Sequence, residues 1–168
     1  PQVARYLDVP ILCSEVTDGF LKSTLGKDYF TGIEVIHVSE GTPLTQWLGR
    51  TVHCHELPGH DEGMIGLAPE DMSWFFVADL VLPMGTVVIP EPEGDMQAYF
   101  DTLQRVIDCN PKVLVTSHGI PQGGTFLLQK TLEHRIEREQ AIKQLTGEGL
   151  SQDEIVDCLY KGLNKKLV

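Results

Sequence analysis

From Gly94-Asp95 onward, apolar side chains return with the period of a helix. Met96, Tyr99, Phe100, Leu103 and Ile107 fall at i, i+3, i+4, i+7 and i+11, a continuous stripe suited to packing on a sheet. Asn110-Pro111 ends it, because the residue before proline is turned away from helical backbone. Val113 to Thr116 is then wholly apolar up to its last residue, as expected of a strand buried on both faces. Trp74 to Ala78 and Met64 to Leu67 read as two further strands, joined by the polar stretch Ala68 to Ser73. Thr51 to Leu57 is another, with Val52, Cys54 and Glu56 on one face and His53, His55 and Leu57 on the other. Gly32 to Val38 alternates in the same manner, and Thr86 to Ile89 reads as a short strand or a covering loop.

Nearer the start, Pro1 to Leu7 reads as the end of a helix, Ile11 to Cys13 as a short strand, and Ser14 to Leu25 as a helix burying Val16, Phe20 and Leu21. After the glycine-rich Gly119 to Thr125, a long helix should reach about Leu145. Ser151-x-x-Glu154 is a capping box for a last helix, with Ile155, Val156 and Leu159 turned inward and a frayed end over 161–168. Strands alternating with helices give an α/β fold with a mixed sheet flanked by helices. At 168 residues with no internal repeat, the chain is expected to be a single domain, 1–168.

Charge narrows the range of partners. Lys and Arg number 13 against 24 Asp and Glu, a net charge of −11 with no basic run. Nucleic-acid binding depends on cations that neutralise phosphates, so that class is excluded. Mean hydropathy is near zero at −0.06. No stretch approaches the roughly 18 apolar residues of a membrane span, so no membrane partner is expected either. The four cysteines, Cys13, Cys54, Cys109 and Cys158, are scattered without a C-x-x-C and read as thiols of a reducing cytoplasm.

Candidate chemistry sits where strands stop. The strand from Thr51 breaks at Pro58-Gly59 and delivers His60; the one from Trp74 ends on Asp79; the one from Val113 ends on Ser117-His118-Gly119. A rigid strand beside a Gly or Pro is a means of aiming one side chain into a shared cleft. Imidazole and carboxylate donors together suit zinc, iron or manganese. The spacing is 19 residues from His60 to Asp79 and 39 from Asp79 to His118. His53 and His55 share a strand face and read as a solvated pair. Ser117, beside His118, has no acid placed for it and is not expected to be a nucleophile.

These segments resemble the metallo-β-lactamase superfamily, closest to its glyoxalase II-like hydrolases. Pro58-Gly59-His60-Asp61-Glu62-Gly63-Met64-Ile65-Gly66-Leu67 is similar to that family's "PGH…G…" segment. Phe76-Val77-Ala78-Asp79-Leu80 resembles its "F.GD" strand, with Ala78 where Gly is usual, and Ser117-His118-Gly119 resembles its last histidine motif. The family's first signature, H-x-H-x-D-H, does not occur; His53-Cys54-His55 is the only H-x-H, and no Asp-His follows it. The chain is therefore expected to be an N-terminally truncated or cleaved member, and the fold a partial αβ/βα sandwich.

The resemblance implies a metal-dependent hydrolase of a small molecule, in which a metal-bound hydroxide attacks an ester or thioester carbonyl. It implies two divalent ions in the full-length protein, zinc before iron or manganese. His60 would ligate the first, His118 the second, and Asp79 would bridge them as the catalytic carboxylate; the remaining ligands belong to the H-x-H-x-D-H segment. This chain alone is expected to hold at most one metal. Its sheet, missing part of its cover, is expected to recruit a second copy or a complementing N-terminal segment. The contrasting expectation is a structural or interaction fragment with no catalysis.

Overall fold

The computed structural model describes residues 1–160 and divides the chain into two compact units, Pro1–Gln129 and the part from Lys130 onward. The first unit opens with α1 (Gln2–Leu7), β1 (Ile11–Cys13), α2 (Glu15–Leu25) and β2 (Val35–His37). β1 and β2 pair in parallel as a separate two-stranded sheet. There follow β3 (Pro43–Trp47), β4 (Arg50–Glu56), β5 (Ile65–Pro69), β6 (Phe75–Ala78), α3 (Met96–Cys109), β7 (Val113–Thr116) and β8 (Gln122–Gly123). β3 to β8 form one six-stranded sheet in chain order, antiparallel except for the parallel pair β6–β7. The expected α/β class with a mixed sheet is what the chain adopts.

α3 connects the two parallel strands. Its buried face is Tyr99, Thr102, Leu103 and Val106, again i, i+3, i+4 and i+7 but shifted from the stripe expected from hydrophobicity alone. Met96, Phe100 and Ile107 are half-buried at its border. The shift has a polar cause: Thr102 enters the buried face because its hydroxyl donates to the carbonyl of Pro58 at 2.8 Å. Asp95 caps the helix by accepting from the Ala98 amide at 2.7 Å.

α2 also buries a different face from the expected one. Val16 and Phe20 are exposed, and the buried residue is Asp18. Its Oδ2 accepts from Lys22 Nζ at 2.8 Å and lies 2.9 Å from His37 Nε2, while its Oδ1 is buried with no hydrogen-bond partner among the described residues. These partners, Lys22 first, hold the Asp18 carboxyl below its ordinary value. β3 and β8 were not expected from the sequence, and the 86–89 stretch is an irregular covering loop.

In the second unit, α4 (Phe126–Gly147, its first turn belonging to the first unit) turns at Glu148–Leu150 into α5 (Gln152–Leu159). The capping box is present: Glu154 Oε2 accepts from both the amide and the hydroxyl of Ser151, at 2.8 and 2.7 Å. Ile155, Val156 and Leu159 are half-buried, and Arg138 stacks its guanidinium over the Tyr160 ring at 4.5 Å. The expected frayed end over 161–168 lies outside the described residues. None of the described helices is long and apolar enough to cross a membrane.

Candidate functional site

Two side chains of the expected site are set by the parallel pair at the centre of the sheet. β6 and β7 run side by side in the same direction, so both release their chains at the same edge. Their last paired residues are Ala78 and Thr116, which places Asp79 and Ser117-His118 next to each other. The register shifts between Phe76 and Ala78, and Ala78 takes a left-handed φ of 49°. That backbone costs a residue with a Cβ on the order of 1 kcal/mol, and it turns the chain out of the sheet just where Asp79 is presented. The Ser117 amide then donates to the Ala78 carbonyl at 3.1 Å and locks the two exits together.

Asp79 Oδ1 accepts a hydrogen bond from Ser117 Oγ and lies 3.6 Å from His118 Nε2. Ser117 thus does have an acid beside it, contrary to the sequence expectation, because the parallel pairing brings the ends of two strands 38 residues apart together. Thr116 Oγ1 donates to the His118 carbonyl at 2.6 Å and steadies that turn.

His60 is held elsewhere, on the turn after Leu57. Its Nδ1 lies 2.6 Å from the carbonyl of Val88. A carbonyl only accepts, so Nδ1 carries the proton and Nε2 is the nitrogen left to act as ligand or acceptor. The turn is braced from two sides. Gly59 lies so close to α3 that a Cβ there would stand 2.4 Å from Tyr99 Cα, and its φ is +138°. On the other side, the carbonyl of Gly63 accepts from Ser14 Oγ at 2.8 Å and Thr17 Oγ1 at 3.1 Å, at the start of α2. α3 touches the Asp79 exit as well, where Tyr99 OH donates to the buried carbonyl of Leu80 at 2.8 Å.

The structure therefore brings Asp79 and His118 together and does not join His60 to them. Among the described residues, no three His, Cys, Asp or Glu side chains gather into a group able to hold a metal ion. The donor types suit zinc, iron or manganese, and a histidine that donates its other ring N–H to a carbonyl is typical of a ligand. Their number does not: one carboxylate and one imidazole fall short of the roughly four donors of a zinc site.

The other candidates have different employment. His55 is half-buried rather than fully solvated; its Nδ1 lies 2.9 Å from Glu40 Oε1 and its ring packs on Phe75 at 4.9 Å between centroids. All four cysteines are free thiols. Burial, helped by Glu40 and Glu56, pushes the Cys54 thiol up to about 11, and burial also raises Cys13 and Cys109, so none of these three is a thiolate at neutral pH.

No sequence-family model matches the chain, and no curated protein sequence does. Solved structures do match. An archaeal metallo-β-lactamase superfamily protein from Sulfolobus tokodaii superposes with a TM-score of 0.60 at 21% identity, over 80% of this chain and 60% of its own. A metallo-β-lactamase family protein from Thermus thermophilus gives 0.65 at 13% identity, over 85% of this chain and 59% of its own. This is part of the metallo-β-lactamase fold. The chain spans about 60% of the length of these structures. A third similar protein, TTHA1623, was solved in a di-iron-bound form and matches with a TM-score of 0.55 at 22% identity, over 80% of this chain and 66% of its own. Within the metallo-β-lactamase fold, the pair at the ends of β6 and β7 is the feature with most chemical content.

Proposed function

We propose that this polypeptide carries part of a metal-dependent hydrolase centre, to which it contributes Asp79 and His118, with His60 as a third ligand. The observation that supports this most is the Asp79–His118 pair, an acid and an imidazole 3.6 Å apart at one sheet edge. The bond broken would be an ester or thioester of a small molecule, the glyoxalase II-like chemistry suggested by the motifs around these residues. Free cysteines suit a reducing, cytoplasmic setting. The missing donors would come from a complementing segment, N-terminal in kind, or from a second copy of the chain. A second reading, a structural or interaction fragment, is favoured by the lack of any three-donor group among the described residues.

Zinc titration of the 168-residue chain, followed calorimetrically, separates the two. The hydrolase reading expects at most one weakly held equivalent, lost in both Asp79→Ala and His118→Ala, and no thioester turnover by this polypeptide alone. Zinc binding that neither substitution changes leaves only the fragment reading. Two tightly held equivalents would show that residues other than these complete the centre.

A further inference from the structure

The loops that carry Asp79 and His118 away from the sheet enclose a cleft of about 540 Å³, lined by Pro83, Met84, His118, Gly119, Ile120 and Gln122. One wall follows β6 and the other follows β7, so the cleft opens beside the acid–imidazole pair. The walls meet tightly at Gly119, where a Cβ would stand 3.1 Å from the Pro83 ring and φ is +92°. Any other residue there would be strained and would press the two loops apart. Gln122 fixes the second wall, its Nε2 donating to the carbonyls of Ile120 at 3.0 Å and Pro121 at 3.3 Å.

Two of the most exposed large apolar side chains of the first unit stand in this place. Met84 is 89% exposed and Ile120 is 72% exposed. Apolar side chains grouped in a concavity beside polar atoms mark a binding site more often than apolar residues scattered singly. Among the described residues the lining holds no Lys, Arg, Asp or Glu; His118 is its only titratable group. A phosphate or carboxylate would find no Lys or Arg inside, and Asp79 beside the one imidazole would repel it. A hydrocarbon chain would find a proline ring, a flexible thioether and a branched aliphatic side chain, with its polar end left toward His118 and Asp79.

We propose that this cleft binds the hydrocarbon part of an uncharged aliphatic acyl group, and so makes Met84 and Ile120 specificity-determining residues. Only what the acyl group is joined to rests on the hydrolase reading; the binding of the chain itself does not.

The test uses the full 168-residue protein with 13C-labelled methionine methyls and S-butyl, S-hexyl and S-octyl thioethers of N-acetylcysteamine, which cannot be hydrolysed. Met84 should shift saturably while Met72 stays still, with affinity rising up to about fourfold per added methylene, the equivalent of burying one CH₂. Ile120→Glu, an exposed substitution whose folding is checked by the remaining methionine signals, should weaken binding at least tenfold. A hexyl probe ending in a carboxylate should bind at least tenfold more weakly than its uncharged counterpart. An unmoved Met84, a Met72 that shifts equally, or a charged probe that binds as well would overturn the proposal. Repeating the titration with Asp79→Ala separates the two readings. A retained Met84 response with zinc binding unaffected by that substitution refutes the hydrolase and keeps the cleft; an unmoved Met84 in the native chain, with zinc lost in Asp79→Ala, does the reverse.

Discussion

The two sheets of the first unit bury their apolar residues to opposite extents. In the six-stranded sheet Phe75, Val77 and Leu114 are completely buried, and α3 adds Tyr99, Leu103 and Val106. In the two-stranded sheet the paired residues Leu12 and Ile36 are 39% and 40% exposed, and the neighbouring helices leave Val3, Tyr6, Val16 and Phe20 in solvent. Parallel strands are ordinarily covered on both faces, and two strands alone are marginal in water. The difference teaches where the fold is held: the sheet that carries the acid–imidazole pair is sealed on one face, while β1 and β2 depend more on polar ties such as Asp18 with Lys22 and His37.

The sealed region should fail hardest at its closest approach. Gly59→Ala places a methyl group 2.4 Å from Tyr99 Cα, with no flexible atom to yield. We expect more than about 4 kcal/mol lost in urea unfolding, an exceptional loss, because overpacking adds to the strain of a Cβ at φ +138°. A loss below about 1 kcal/mol would show that the turn and α3 are not locked together. Next comes a matched pair. Leu103→Ala should cost roughly 2–5 kcal/mol and Leu12→Ala under about 1 kcal/mol, since only the first empties a filled site. Equal losses would abolish the contrast between the sheets.

The smallest effect is in acid. Because the folded state holds the Asp18 carboxyl below its ordinary 3.8, its contribution is fully present above that value and is lost as pH falls through the lower, folded one. The groups around the carboxylate are Lys22, His37 and the thiol of Cys13. Urea melts at pH 6 and pH 3 should show the native chain losing more stability than Asp18→Asn over that interval. Parallel losses would mean that Asp18 does not tie α2 to β2.

Where periodicity was long, the elements could be read from the residues: α3, α4 and the strands ending at Ala78 and Thr116 stand where the pattern places them. What escaped was set by partners distant in sequence. Thr102 belongs to the buried face only because Pro58 offers a carbonyl. β3 was hidden by its turn, in which Leu48 and Gly49 both take positive φ, 49° and 76°; Asn-Gly would have signalled such a hairpin, and Leu-Gly does not. Of the candidate site, strand-end placement sufficed for Asp79 and His118, which neighbouring strands bring together. His60 is set by other means, on a turn that answers to α2 and α3 and to the Val88 carbonyl.

The parallel pairing of β6 with β7 has a consequence for how such a protein can vary. The ladder from Phe75↔Leu114 to Ala78↔Thr116 acts as a gauge that meters the gap between Asp79 and His118. Strand spacing is a constant of backbone geometry, near 4.8 Å, and no change in the outer loops alters it. The segments after Asp79 and after His118 can therefore lengthen, shorten or change composition while the two reactive groups keep their separation. Diversification is free to act on what the cleft accepts without touching the instrument beside it.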